Sequence, residues 1–147
     1  MPRTLDTKCF LDTVCALLQQ GQTNVAVPVT GTSMAPFLHN GDTVFLNAPP
    51  MQPKKGDVVL YIRKNGDYIL HRIVKVHRNG SLTISGDAQQ SLEHLPSADC
   101  IRGIAVAAKH NDKLITVNSF HWWFYRRVWL WLLPWRHRLI ALKNTKK

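Results

Sequence analysis

Two Asn-Gly pairs, Asn65-Gly66 and Asn79-Gly80, constrain the fold of this chain more than any other feature. Such a pair favours two-residue turns with positive φ at both central positions, which match the twist of an antiparallel hairpin. Each pair is flanked by strand-like sequence. Val58 to Ile62 precedes the first, Tyr68 to His77 lies between them, and Leu82 to Ile84 follows the second. A chain with two consecutive tight hairpins must build an antiparallel sheet.

The remaining segments extend that sheet. Val25 to Val29, Thr43 to Leu46, Ile101 to Ala107 and Leu114 to Val117 read as further strands, giving six or seven in all. Ala48 to Lys55 is a proline-rich loop, and Ala88 to Cys100 is read as a polar loop. A helix is expected over about residues 4 to 20. There Phe10, Val14, Leu17 and Leu18 repeat at helical spacing, and Gly21 ends the pattern. The fold class is therefore mostly β, with an N-terminal helix and an aromatic, basic C-terminal helical segment. The expected divisions are 1–21 for the helix, 22–118 for the central domain and 119–147 for the tail.

The formal net charge is +10, and no Asp or Glu follows Asp112. The basic excess is thus largely C-terminal, where it suits acidic lipid or an acidic partner. Cys9, Cys15 and Cys100 form no CxxC pair, so neither a zinc site nor a disulfide framework is expected. All three are read as small buried hydrophobes in a reducing compartment. Asp6, Lys8 and Asp12 interrupt the N-terminal sequence, so no signal peptide is expected there. No run approaches the ~20 apolar residues of a membrane-spanning helix. These features give an expected cytoplasmic location, with peripheral contact at the inner face of a membrane.

Two short stretches carry candidate chemistry. Gly31-Thr32-Ser33-Met34-Ala35-Pro36 is a turn set between apolar segments. A serine on a tight turn projects its hydroxyl beside backbone N–H groups, which suits a nucleophile next to an oxyanion hole. Taken alone, a serine in such a turn more often only closes it. In Ile69-Leu70-His71-Arg72-Ile73-Val74, strand periodicity puts Ile69, His71 and Ile73 on one face. Burial there would keep the imidazole neutral and able to accept a proton. The ordinary alternative is a hydrogen-bonded core histidine.

The order of these stretches adds weight. Gly-x-Ser-Met-x-Pro-x-Leu-x-x-Gly-Asp (31–42), Gly-Asp-Val-Val (56–59), Leu-His-Arg-Ile-Val (70–74) and Gly-Asp (86–87) follow one another. The set resembles the signal peptidase I family and its relatives, which include self-cleaving repressors. The matching positions run from about Val29 to Val106, roughly half the chain. The resemblance implies the family's β fold, peptide-bond hydrolysis and Ser33 as nucleophile. His71 stands where bacterial signal peptidases and the repressors carry a base lysine, which is similar to the Ser–His branch. Gly31, Met34 and Pro36 match the substrate and oxyanion segment. For the supporting acid the resemblance implies Asp87 first and Glu93 second, with Asp99 a distant third. Asp42 and Asp57 are read as structural. No metal and no cofactor are implied.

The chain departs from the family pattern at three points. Gly31 occupies a position where many signal peptidases have a serine, Ala88-Gln89-Gln90 replaces an asparagine-containing sequence, and an N-terminal membrane anchor is not expected. In these respects the chain resembles small cytoplasmic family members that trim leader segments from precursors. The implied partner is a peptide or protein precursor.

All five tryptophans lie between Trp122 and Trp135, interleaved with arginines. This segment is read as one or two helices broken near Pro134. Residues 119–142 suit a membrane interface, a membrane-protein partner or packing on the domain's own core. Nucleic-acid binding is not expected, since no helix-turn-helix or zinc-finger pattern is present. Two rival functions remain at this point: a catalytically weak or inactive binding module of the same fold, and a self-cleaving regulator.

Overall fold

The computed structural model describes residues 2–89, 91–132 and 135. Helix α1 (Pro2–Gln19) leads into strands β1 (Val25–Pro28), β2 (Thr43–Asn47), β3 (Val58–Ile62), β4 (Tyr68–Val76), β5 (Leu82–Ser85) and β6 (Glu93–Leu95). A short 3-10 turn (Ala98–Cys100) precedes β7 (Ile101–His110) and β8 (Lys113–Thr116). Helix α2 (Phe120–Phe124) runs into a π-helical turn, Tyr125–Trp129.

The described strands form one sheet of eight, ordered β1-β2-β7-β3-β4-β5-β6, with β8 paired to β7. Every pairing is antiparallel. Strand β7 organises the sheet. It pairs with β2 along one edge and with β3 and then β8 along the other. Asn65-Gly66 joins β3 to β4 and Asn79-Gly80 joins β4 to β5, so both hairpins form, but the turn type differs from the expected one. Within these turns only Gly66 and Gly80 have positive φ. The bonds from Gly66 N–H to the Arg63 carbonyl and from Gly80 N–H to the His77 carbonyl close three-residue turns with glycine in the left-handed position. Strand β6 lies inside the segment expected to be a loop. Its three residues pair with β5, and so short a polar stretch shows no alternation to read.

The apolar run of β3 is explained by burial on both faces. Val58 and Leu60 enter one core with residues of α1, β1, β2 and the Ser33 loop. Val59 and Tyr61 enter a second core with Ile73, Leu82, Ile84 and Ile101. Helix α1 seats Val14, Cys15 and Leu18, while Phe10 and Leu17 stay partly exposed. The seated face is thus rotated from the expected one. Cys15 is buried, whereas Cys9 is exposed and Cys100 half-buried, which corrects the reading of all three as core residues.

The tail divides by face. Trp122 and Trp129 are buried, whereas Phe120, Trp123, Trp131 and Trp135 are exposed. Trp122 meets Phe37 edge-on at 4.9 Å between ring centres. Arg126 donates to Asp57 at 2.8 Å, tying the tail to the loop before β3. The expected break near Pro134 lies outside the described residues.

Candidate active site

The loop between β1 and β2 carries Ser33. Gly31 has φ of +82°, a left-handed conformation that glycine adopts without steric cost. Its N–H donates to Asn40 Oδ1 at 3.0 Å. Met34, Phe37 and Leu38 are buried, so the loop is anchored through its own apolar side chains. The Ala35–Pro36 peptide is cis. Among the described residues no acceptor is placed on the Ser33 N–H, which lets it serve as an oxyanion donor.

His71 sits on β4 opposite Val59 of β3 and is 4% exposed. The site draws Ser33 and His71 together around Gly86. A Cβ at position 86 would lie 2.5 Å from the Ser33 carbonyl oxygen and 3.0 Å from His71 Nε2. Gly86 does not have a positive φ, so glycine is needed there for space. The Ala88 N–H donates to the Ser33 carbonyl at 2.9 Å, fixing the two loops to each other. Among the described hydrogen bonds none joins Ser33 Oγ to His71. Such bonds are often long before substrate arrives and tighten in the bound complex.

The far side of the imidazole is equally defined. Tyr61 Oη lies 3.4 Å from His71 Nδ1 and donates its own proton to Glu93 Oε2. Arg63 Nε donates to the other Glu93 oxygen at 2.8 Å. Because the phenol proton points to Glu93, the phenol oxygen is left to accept from His71 Nδ1–H. That tautomer leaves Nε2 as the lone-pair nitrogen on the Ser33 side. Burial, helped by the Arg63 charge and opposed by Glu93 and Asp87, lowers the His71 pKa to about 4. Burial and the bond to Glu93 push the Tyr61 phenol up, so it stays protonated.

Asp87 is held elsewhere. Arg72 Nε and Nη2 each donate to one of its carboxylate oxygens at 2.9 Å, with both side chains fully buried. Arg72 Nη1 donates to the Gly56 carbonyl at 2.9 Å, and the guanidinium lies 4.7 Å from the Phe37 ring centre. Trp129 Nε1 donates to the Asp87 carbonyl at 3.1 Å, so the tail also fixes this loop. Asp87 therefore acts on His71 through space, while Glu93 reaches it through one hydroxyl. Asp99 lies in the 3-10 turn before β7. The sequence reading does not single out Tyr61 or Arg63, and it places Trp129 only in the aromatic tail, not beside Asp87. Tyr61 stands two residues before Arg63 on an apparently uniform apolar strand, and nothing local marks either as a partner of Glu93.

Beside Ser33 and His71 opens a cleft of about 620 Å³, walled by Val27, Val29, Leu60 and Leu70. A peptidase S24-like family model matches residues 5–107. The chain belongs to the peptidase S24-like family. That match takes in α1, the Ser33 loop, the β4 histidine and most of β7, and it supports a serine-type peptidase fold. No curated protein and no solved structure matches the chain. No described helix is long and apolar enough to cross a membrane.

Proposed function

We propose that this peptidase S24-like chain is a serine endopeptidase that removes a leader or signal-like segment from a precursor. The observation that carries the reading is the orientation of His71: Nδ1 faces Tyr61, and Nε2 faces Gly86 and the Ser33 loop. In the proposed reaction Nε2 takes the Ser33 hydroxyl proton as Oγ attacks the scissile carbonyl. The Ser33 N–H stabilises the oxyanion. The imidazolium then gives that proton to the departing amine, and water resolves the acyl-enzyme by the same route. Tyr61 and Glu93 hold the ring and its tautomer. Asp87, through Arg72, keeps the Gly86 loop in place.

The substrate reading rests on shape. The cleft beside Ser33 is apolar and runs along β1, which ends the sheet order. An extended peptide can add to such an edge by main-chain pairing while its side chains fill the cleft. Exposed Phe120, Trp123, Trp131 and Trp135 on a chain of formal charge +10 fit an anionic lipid surface. The free state of all three cysteines supports a reducing, cytoplasmic setting.

A second reading, a binding module with weak or lost catalysis, is favoured by one observation. The Gly31 N–H, a candidate oxyanion donor, is already engaged by Asn40. Cleavage of a diverse peptide library by the purified chain, with and without anionic vesicles, separates the two. The peptidase reading expects cleavage that Ser33→Ala abolishes and vesicles enhance. No cleavage under either condition, with peptide binding unaffected by Ser33→Ala, favours the module.

A further inference from the structure

Away from the Ser33–His71 site, the end of the β2–β7 ladder gathers two imidazoles and a carboxylate. Thr43 pairs with Lys109, so antiparallel register sets Asp42 against His110. His110 Nδ1 lies 2.5 Å from Asp42 Oδ1. His39 reaches the same carboxylate from the turn before β2: its backbone N–H donates to Oδ2 at 2.8 Å, and its Nδ1 lies 3.8 Å from that oxygen. The two imidazole rings are 4.9 Å apart. One ligand atom from each residue lies within 4.8 Å of the others.

We propose that His39, Asp42 and His110 form a binding site for a borderline transition metal, of which Zn²⁺ is the representative. Ligands about 2.0–2.1 Å from a tetrahedral zinc stand somewhat more than 3 Å apart. His110 Nδ1 stands 2.5 Å from Oδ1 and His39 Nδ1 stands 3.8 Å from Oδ2, and one ligand atom from each residue lies within 4.8 Å of the others, so rotation of the two exposed histidine side chains is what brings the set to that spacing. Two imidazoles select zinc, cobalt, nickel or copper over magnesium and calcium, which demand oxygen ligands. Asp42 is 5% exposed and fixed by the His39 N–H, whereas both histidine side chains are nearly half exposed. The carboxylate is thus a rigid anchor, and the solvent side leaves a fourth position for water.

The proton inventory is simple. In the metal-free state the His110 Nδ1 proton points at Asp42, and Nε2 lies 3.1 Å from the Asn111 amide. Metal takes the Nδ1 lone pair, the ring proton moves to Nε2, and the Asn111 amide oxygen, after rotation of that amide, accepts it. A ligating histidine ordinarily hands its other N–H to such a neighbour. The site would also stiffen the base of the Ser33 loop. Val29 N–H donates to the Asp42 carbonyl at 2.8 Å, Gly41 N–H to the Val29 carbonyl at 2.9 Å, and Gly31 N–H to Asn40. These bonds link the metal-bearing turn to the segment that enters the nucleophile loop.

Calorimetric titration of the full chain with Zn²⁺, and visible absorption on titration with Co²⁺, test the proposal. The expected result is one site per chain, tetrahedral Co²⁺ bands and a rise in melting temperature with added Zn²⁺. His39→Ala and His110→Ala should each weaken binding at least about tenfold. His39 and His110 are side-chain exposed, so melting in metal-free buffer identifies any variant that fails to fold. Cys9→Ser and the His77→Ala/His94→Ala pair, which remove other candidate ligands, should leave binding unchanged. No binding to the wild-type chain, or binding that survives in the folded His39→Ala/His110→Ala double variant, overturns the assignment.

Discussion

Tyr61 and His71 stand on neighbouring strands with the phenol oxygen 3.4 Å from Nδ1 of the imidazole. The phenol gives its proton to Glu93, so the acid acts on the histidine through a tyrosine. A direct carboxylate would fix the ring and also hold a full negative charge against it. The tyrosine fixes the ring while keeping that charge one residue away, which leaves burial free to lower the imidazole's basicity.

Tyr61→Phe should keep the fold and lower kcat. The ring volume is retained, but His71 Nδ1–H loses its acceptor and the imidazole can adopt the wrong tautomer. A fall of about ten- to a hundredfold in kcat with little change in KM is expected. Glu93→Gln should give a smaller fall in the same direction. Steady-state kinetics on a cleaved peptide measures both, and a pure KM effect would contradict the positioning role.

Asp87→Asn should behave differently from Glu93→Gln. It leaves the Arg72 guanidinium buried without its bidentate partner. Breaking one half of a buried ion pair costs about 3–5 kcal/mol. Denaturant unfolding should register that loss for Asp87→Asn. The half-exposed Glu93–Arg63 pair, by contrast, should contribute little to stability.

The low basicity of His71 fixes the acid limb of the pH profile. In the proposed reaction His71 accepts a proton only when neutral, and with a pKa of about 4 it is neutral throughout the range where an ordinary histidine titrates. The kcat/KM profile should therefore show no inflection near pH 6.5 and fall only toward pH 4. Stability moves with the same group. The unfolded chain binds this proton near pH 6.5 and the folded chain only near 4, so stability drops as pH falls between those values. The His71 contribution to that drop is about 3 kcal/mol. His71→Gln should remove it from the pH-dependence of unfolding.

Gly86→Ala tests the spacing of the site. The added methyl would meet the Ser33 carbonyl at 2.5 Å and His71 Nε2 at 3.0 Å, so one must move. Position 86 has no positive φ, so the backbone conformation itself tolerates alanine. Activity should fall at least about a hundredfold, with a much smaller fractional loss in folding stability. Wild-type kinetics in this variant would mean that Gly86 does not lie between the nucleophile and the base.

Much of the fold was legible because its signals are local. Asn65-Gly66 and Asn79-Gly80 gave their hairpins, and the apolar run at Val58–Ile62 gave a strand buried on both faces. Strand β6 was not legible, since Glu93, His94 and Leu95 are strand only through pairing with β5. Ser33 and His71 were named from motif order, and both line one cleft. The surroundings of the imidazole were not readable, because the register of the β3–β4 hairpin sets Tyr61 diagonal to His71 and Glu93 arrives from β6, which the sequence does not mark as a strand. Tyr61 is ten residues from His71 and Glu93 is thirty-two from Tyr61. Ranking Asp87 before Glu93 followed the Gly-Asp motif, which says nothing of the bidentate hold that Arg72 has on Asp87. Membrane contact and packing on the domain's own core stand as alternatives for the tail in the sequence, whereas burial assigns Trp122 and Trp129 to the core and leaves Trp123 and Trp131 exposed.

The central claim is that Ser33 is a nucleophile activated by His71. Acylation by an activated ester, followed by intact mass and peptide mapping, tests it without knowledge of the natural substrate. The account predicts one acyl group per chain, located on Ser33 and absent in Ser33→Ala. Acylation should be slowed by about 10²–10⁴ in His71→Gln. Acylation elsewhere, or a His71→Gln rate equal to wild type, would contradict it.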